Sequence, residues 1–248
     1  MSGGERAAFK SGFISIIGKP NVGKSTLLNK LLGRKIAPVS RKPQTTRQAL
    51  HGIRTDENSQ LIFIDTPGIH RPRDPLGQAM VASAKKTFVE ADLVYCMVEA
   101  RLPDDDDERV LTDLAPVRAP IFLLMNKIDR LADKGEMLPL IDDYHRRFSF
   151  REIIPISAFH SIQLDVLLAK TKECLPEGPH YYPDDMISDQ PLTEIVKEFI
   201  REKVIRFTGE EIPYETAVAV EELKQREDGL VEIRAVIYVD RDSQKGIL

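Results

Sequence analysis

Two cysteines in 248 residues are too few for a disulfide framework, and no hydrophobic run approaches the roughly 20 apolar residues of a spanning helix. Cys96 lies in a strand-like apolar run and Cys174 on a helical stretch, so both are expected to be buried and inert in a reducing compartment. The N-terminus carries no apolar segment of the signal-peptide kind, which reads as a soluble intracellular protein. A charge excess is also missing. With 35 Lys and Arg against 39 Asp and Glu the net charge is −4, so any nucleic-acid surface must be a local basic patch. The histidines His51, His70, His145, His160 and His180 show no metal-ligand spacing and read as surface or loop residues. What is present is an ordinary globular composition, 42% hydrophobic and 30% charged, enough for one large domain or two modest ones.

Short apolar runs at 13–17, 49–54, 61–64, 93–98, 121–125 and 153–156 read as strands. Helical patterns lie between most of them, at 24–32, 76–89, 106–114, 135–148 and 163–175. Strand alternating with helix predicts an α/β fold with a mostly parallel sheet covered on both faces. The exception is 49–54 and 61–64, joined by a polar turn, which predicts an antiparallel hairpin at a sheet edge.

The run Gly18, Lys19, Pro20, Asn21, Val22, Gly23, Lys24, Ser25 and Thr26 follows the first strand directly, as a phosphate-binding P-loop does. Its glycines let the backbone turn N–H groups inward beside a helix N-terminus, Lys24 would bridge the β- and γ-phosphates, and the Ser25 hydroxyl would hold Mg²⁺. Asp65, Thr66, Pro67 and Gly68 close the strand at 61–64. Alone, a DxPG sequence is a common turn. Behind a strand and downstream of the P-loop, Asp65 can hold the Mg²⁺ shell and the Gly68 N–H can reach a γ-phosphate.

Asn126, Lys127 and Asp129 close the strand at 121–125. A carboxylate at Asp129 can accept from guanine N1–H and the 2-amino group together. Adenine offers neither, and a buried carboxylate left unpaired costs roughly 1–3 kcal/mol or more. The nucleotide is therefore expected to be GTP or GDP. Asn126 would tie this loop to the phosphate loop, the Lys127 stem would lie over the base, and the Ser157 and Ala158 amides would reach guanine O6. The basic stretch 34–47 is aperiodic and suits a mobile loop, in which Thr46 foremost would coordinate Mg²⁺ when γ-phosphate is present. The acidic run 104–108 is read as complementing a helix dipole, with no metal.

The pattern breaks after Leu175. Residues 177–191, rich in Pro, Asp and Tyr, read as an interdomain linker between a nucleotide-binding domain at 1–176 and a smaller unit at 192–248. That unit has a helical pattern at Ile195, Val196, Phe199, Ile200 and Val204, then strands expected at 214–223 and 230–239, with Val231, Ile233, Ala235, Ile237 and Val239 on one face.

These motifs in order, with the QTTR loop at 44–47, the linker at 181–190 and the DRDSQKG run at 240–246, closely resemble the Era family of bacterial GTPases. The resemblance implies a Ras-like P-loop GTPase domain followed by an α+β KH-type RNA-binding domain. It further implies binding of small-subunit (16S) ribosomal RNA near its 3′ end, assistance to 30S subunit assembly, a monomeric cytoplasmic protein, and peripheral association with the inner face of the membrane. In that family the KH domain continues with a GxxG loop beyond the position of Gly246, so the KH unit is expected to be incomplete in a sequence ending at Leu248. Ile69 stands where Ras-like enzymes place a water-orienting glutamine, and the resemblance then implies that Asn21 helps bind K⁺ as a catalytic charge, alongside Lys24, Thr46 and Gly68. An RNA-binding scaffold with a silent nucleotide pocket, another assembly or tRNA-modifying GTPase, and a membrane-associated signalling GTPase stand as alternatives.

Overall fold

The structure, a computed structural model, describes residues 8–39, 49–68, 90–208 and 216–247. The helix expected over 76–89, the loop segment 40–48 with Thr46, and Ile69 lie outside the described residues. The first unit contains β1 (Lys10–Ile17), α1 (Lys24–Leu32), β2 (Leu50–Asp56), β3 (Ser59–Asp65), β4 (Leu93–Glu99), α2 (Asp105–Leu114), β5 (Ile121–Asn126), α3 (Met137–Arg147), β6 (Glu152–Pro155) and α4 (Leu164–Cys174). Its sheet runs β2-β3-β1-β4-β5-β6, all parallel except β2, which pairs antiparallel with β3 at the edge as expected.

The inner strands β4 and β5 are apolar almost without alternation because both their faces are covered. On one face Leu27, Leu28 and Leu31 of α1 and Leu164 and Leu167 of α4 pack against Ile14, Ile16, Phe63, Tyr95 and Leu124. On the other, Val110, Leu111 and Leu114 of α2 and Leu140 and Tyr144 of α3 meet Ile17, Val94, Cys96, Val98 and Met125. One buried hydroxyl pair in this core is satisfied in series. Tyr95 O–H donates to Thr171 Oγ1, which itself donates to the Leu167 carbonyl at 2.7 Å. Cys96 is buried as expected, whereas Cys174, at the last turn of α4, is only half-buried.

Residues 177–191 are hydrogen-bonded to the first unit along their length. The segment is strapped to the first unit through the backbone: Ser11 N–H donates to the Pro176 carbonyl, Gly178 N–H to Phe9, and Ile53 N–H, on the open edge of β2, to Ile187 at 2.7 Å. The buried side chain of Gln60 accepts from the Tyr181 and Tyr182 amides at 2.7 and 2.9 Å and donates to the Tyr182 carbonyl at 2.8 Å. His51 pairs with Asp189 at 2.6 Å and its carbonyl accepts from Ser188 Oγ. An edge strand offers unpaired donors and acceptors, and this strap takes them.

The second unit comprises α5 (Leu192–Phe207), an antiparallel pair β7 (Ala217–Gln225) and β8 (Val231–Tyr238), and the short α6 (Asp242–Lys245). Ile233 and Ile237 of β8 face Val196, Phe199 and Val204 of α5 across an apolar cleft. The unit meets the first through Glu202, which is 4% exposed and accepts from Lys35 Nζ at 2.7 Å and Val39 N–H at 3.0 Å, with the Lys35 ammonium 5.0 Å above the Phe199 ring.

Gln60→Leu removes the side chain that serves three backbone groups of the strap. It is expected to lower unfolding free energy by about 1–3 kcal/mol in urea denaturation and to speed amide exchange at Tyr181 and Tyr182.

Candidate functional site

Because β1, β3, β4, β5 and β6 run the same way, their C-terminal ends share one edge of the sheet, and the chain switches sides at β1. A crevice at that switch point is where open α/β sheets bind ligands. The loop from Gly18 to Lys24 sits there. Gly18 (φ 149°) and Gly23 (φ 110°) hold backbone angles that L side chains rarely adopt, and Asn21 holds φ 65° between them. A Cβ at Gly18 would stand 2.3 Å from the Met97 carbonyl oxygen, and one at Gly23 2.4 Å from Asn126 Nδ2. Gly68 is pressed against the loop in the same way, a Cβ there falling 2.8 Å from Pro20 N.

The loop's carbonyls are turned outward and taken by side chains. Lys24 Nζ donates to the Gly18 and Lys19 carbonyls, both at 3.0 Å, Lys127 Nζ to the Asn21 carbonyl at 2.8 Å, and Asn126 Nδ2 to the Val22 carbonyl at 2.7 Å. The loop runs directly into the N-terminus of α1, with Gly23 as its N-cap. That helix has no side-chain cap and no acidic residue in its first turn, so its positive end is left for an anion. Lys24 is buried. Burial, only partly opposed by Asp65, lowers its pKa to about 8, and an anion beside it would restore the charge. Ser25 Oγ donates to Asp65 Oδ2 at 2.7 Å, which brings two hard oxygen donors together at the head of α1. Thr66 is spent on structure, its hydroxyl donating to the Ile16 carbonyl at 2.8 Å, and Pro67 is buried behind it.

At the other end of the crevice Lys127 takes a left-handed conformation (φ 67°) and its ammonium also pairs with Glu99. Asp129 accepts from Ser157 Oγ, which holds its carboxyl below the usual range. The Ser157 and Ala158 amides, expected to face guanine O6, are engaged within the protein. Ser157 N–H donates to the Ile162 carbonyl at 3.3 Å and Ala158 N–H to Asn126 Oδ1 at 2.9 Å. The reason is proximity: an amide side chain already committed to Val22 leaves its oxygen facing Ala158. Asn126 therefore joins the phosphate loop, the base-side loop and the loop after β6 at once.

Lys19, expected among the nucleotide contacts as a member of the loop, has its side chain clamped by Asp104 at 2.7 Å and Asp107 at 2.8 Å, at the N-terminus of α2. The acidic run 104–108 does complement a dipole, with Asp104 as N-cap and Asp104 and Asp107 forming a reciprocal capping box, but two of its carboxylates also grip the P-loop. Burial would raise the Asp104 carboxyl, yet the bonds from Lys19 and Arg101 reverse this and hold it well below the usual range. The grip of Asp104 and Asp107 on Lys19 went unrecognised in the sequence because nothing local to them shows that a lysine 85 or more residues earlier points their way. Thr26 is half-buried on α1, and Thr46 and Ile69 are outside the described residues.

Asn126→Ala orphans the Val22 carbonyl and the Ala158 amide. It is expected to cost about 2–4 kcal/mol in urea denaturation, and Asn126→Asp, which sets a carboxylate against the Val22 carbonyl, at least as much.

Known proteins bear on this geometry. Residues 13–127 match the family model described as "50S ribosome-binding GTPase". GTPase Era of Clostridioides difficile (strain 630) is 47% identical over 242 residues, covering 97% of this chain and 82% of that protein. GTPase Era of Geobacter metallireducens is 51% identical over 242 residues, covering 97% and 81%. A crystal structure of Era in complex with MgGDPNP and nucleotides 1506–1542 of 16S ribosomal RNA aligns with a TM-score of 0.91 at 40% identity, over 96% of this chain and 82% of that one. A phosphate loop, a guanine-type base loop and this similarity along nearly the whole chain lead to one conclusion: the chain belongs to the Era family of GTPases.

Proposed function

We propose that this GTPase works as a switch on small-subunit ribosomal RNA and assists 30S subunit assembly, with Asp129 selecting guanine and the outward-fastened phosphate loop holding the β- and γ-phosphates. The observation that carries the nucleotide reading is the Asn126 side chain, which fixes the phosphate loop and the base loop in one geometry through Val22 and Ala158. Support for the RNA reading is the relative at 40% identity and TM-score 0.91, crystallised with a 16S segment. The α5-β7-β8 unit is read as part of a KH-type RNA-binding domain, with residues 177–191 as the strap that precedes it. We place the protein in the cytoplasm as a monomer, with any contact to the inner face of the membrane peripheral, since no described helix is long and apolar enough to cross it.

Hydrolysis follows as in-line attack of water on the γ-phosphorus, giving GDP and phosphate, with positioning and charge rather than a side-chain base lowering the barrier. Backbone N–H groups between Gly18 and Lys24, other than at Pro20, cradle the phosphates, Lys24 bridges β and γ, and Gly68 N–H contacts γ. Ser25 and Asp65, already in contact, would hold Mg²⁺ with Thr46, and the ion supplies charge neutralisation at the phosphate oxygens. Specificity rests on Asp129, whose lowered pKa keeps it ionised as a double acceptor. The aliphatic Ile69 cannot orient water, so Asn21, strained and exposed at the loop's crest, is read as a K⁺ ligand whose charge assists the leaving group.

Asp129→Asn is expected to shift preference from GTP to xanthosine triphosphate, and Lys24→Ala to abolish tight binding of both. Unchanged GTP affinity in these variants would remove the reading. Turnover is expected to rise with a 16S 3′-end RNA in the chain extended through the GxxG region, and to be faster in K⁺ than in Na⁺. Equal rates with and without RNA would overturn the RNA reading, and an undiminished K⁺ response in Asn21→Ala the role of Asn21.

A further inference from the structure

The loop that must cradle phosphate is strained, with positive φ at Gly18, Asn21 and Gly23 inside six residues. Strained backbone persists only where its surroundings over-determine it. Asn126 and Lys127 fasten the loop's second half, at Val22 and Asn21. Its first half has one side-chain anchor to a neighbouring element, Lys19, whose carbonyl in turn receives Lys24 Nζ.

We infer that Asp107, acting through Lys19, is a positioning residue of the phosphate site. Its side chain is 1% exposed and reaches Lys19 Nζ at 2.8 Å, while its backbone and its Oδ2 close the capping box with Asp104. Asp107 Oδ1 has no hydrogen-bond partner among the described residues, so the carboxylate is buried with one oxygen serving Lys19 and the Asp104 amide and the other serving nothing. A capping role alone would be met by a neutral amide, which accepts the same Asp104 N–H without placing a charge in the core. The charge is matched to Lys19, which is itself 8% exposed. Arg101 then balances the second carboxylate, donating to Asp104 at 2.5 Å and standing 3.6 Å from Asp107. Arg101 also lies 3.9 Å from Glu99, the partner of Lys127. Two cations and two carboxylates thus form a neutral cluster that joins the first half of the phosphate loop to the rigid start of α2, and continues through Glu99 to the base loop. Releasing Lys19 frees its main chain, and with it the carbonyl on which Lys24 rests.

The inference rests on the nucleotide site assigned above, and its test separates the two. GDP affinity is measured for the full chain and for Asp107→Asn, Lys19→Met and the double variant, beside urea denaturation of each. Asp107→Asn keeps the capping acceptor and removes the charge. It is expected to weaken GDP binding about tenfold, with the GDP to xanthosine-diphosphate ratio unchanged because the base loop keeps its own anchors. The double variant is expected to be no weaker than the worse single one, since both remove the same contact. A folded Asp107→Asn that binds GDP as tightly as wild type, a stability loss without an affinity loss, a changed base ratio, or additive single effects would each overturn the role of Asp107. A wild-type chain that binds no guanine nucleotide would instead overturn the site assignment.

Discussion

The structure depends on keeping the outward carbonyls of one strained loop occupied. A phosphate cradle needs peptide N–H groups converging on an anion, and a loop that turns its amides inward turns its carbonyls toward the protein. Here those carbonyls belong to Gly18, Lys19, Asn21 and Val22, and each has a side-chain donor: Lys24 for the first two, Lys127 and Asn126 for the others. A buried carbonyl without a partner costs about 1–3 kcal/mol, a cost that bears on Gly18, Lys19 and Val22, whose bonds are buried, while the Asn21 bond lies at the surface. Lys24 thereby serves the fold without ligand, and its burial lowers its pKa to about 8.

Topology explains why those donors are in reach. Only a parallel sheet sends β1, β3, β5 and β6 to the same edge, so that loops far apart in sequence, at 18, 65, 126 and 157, become neighbours. Burial of β4 and β5 on both faces then fixes the height of that edge. Asn126 is the last residue of β5, in register with Glu99, the last of β4. Their side chains reach the loops from two adjacent strand ends, which is why Asn126 and the Glu99–Lys127 pair act on the same stretch of backbone.

Much of this was legible in the sequence. Apolar runs without alternation gave the parallel strands, and glycine, lysine and asparagine spacings gave the loops at their ends, because those spacings are imposed locally by backbone angle and by what a nucleotide presents. The strap at 177–191 was not legible. Its lack of hydrophobic period says linker and nothing about packing, and its order comes from backbone hydrogen bonds to Gln60, more than 120 residues away, a polar residue at a strand start that carries no pattern of its own. The Lys19 clamp escaped for the same reason. An acidic helix start and a loop lysine are each satisfied by bland readings, and only tertiary placement pairs them. Ser157 and Ala158 follow β6, and in this structure their amides bond Ile162 and Asn126.

The same accounting extends to the junction of the two units. Asn29 of α1, one turn beyond Ser25, accepts from the Ile36 and Ala37 amides at 2.8 and 2.9 Å and donates back to the Ala37 carbonyl. Three residues around that point, Lys35, Val39 and Glu202, continue the network into α5. Glu202 is almost wholly buried, and a carboxylate removed from water is tolerated only while its donors stay in place. Residues 35–39 are therefore held on one side by the helix that carries the phosphate loop and on the other by the C-terminal unit. Withdrawing either side orphans groups on the other. This shared set of hydrogen bonds ties the helix of the C-terminal unit to the GTPase unit.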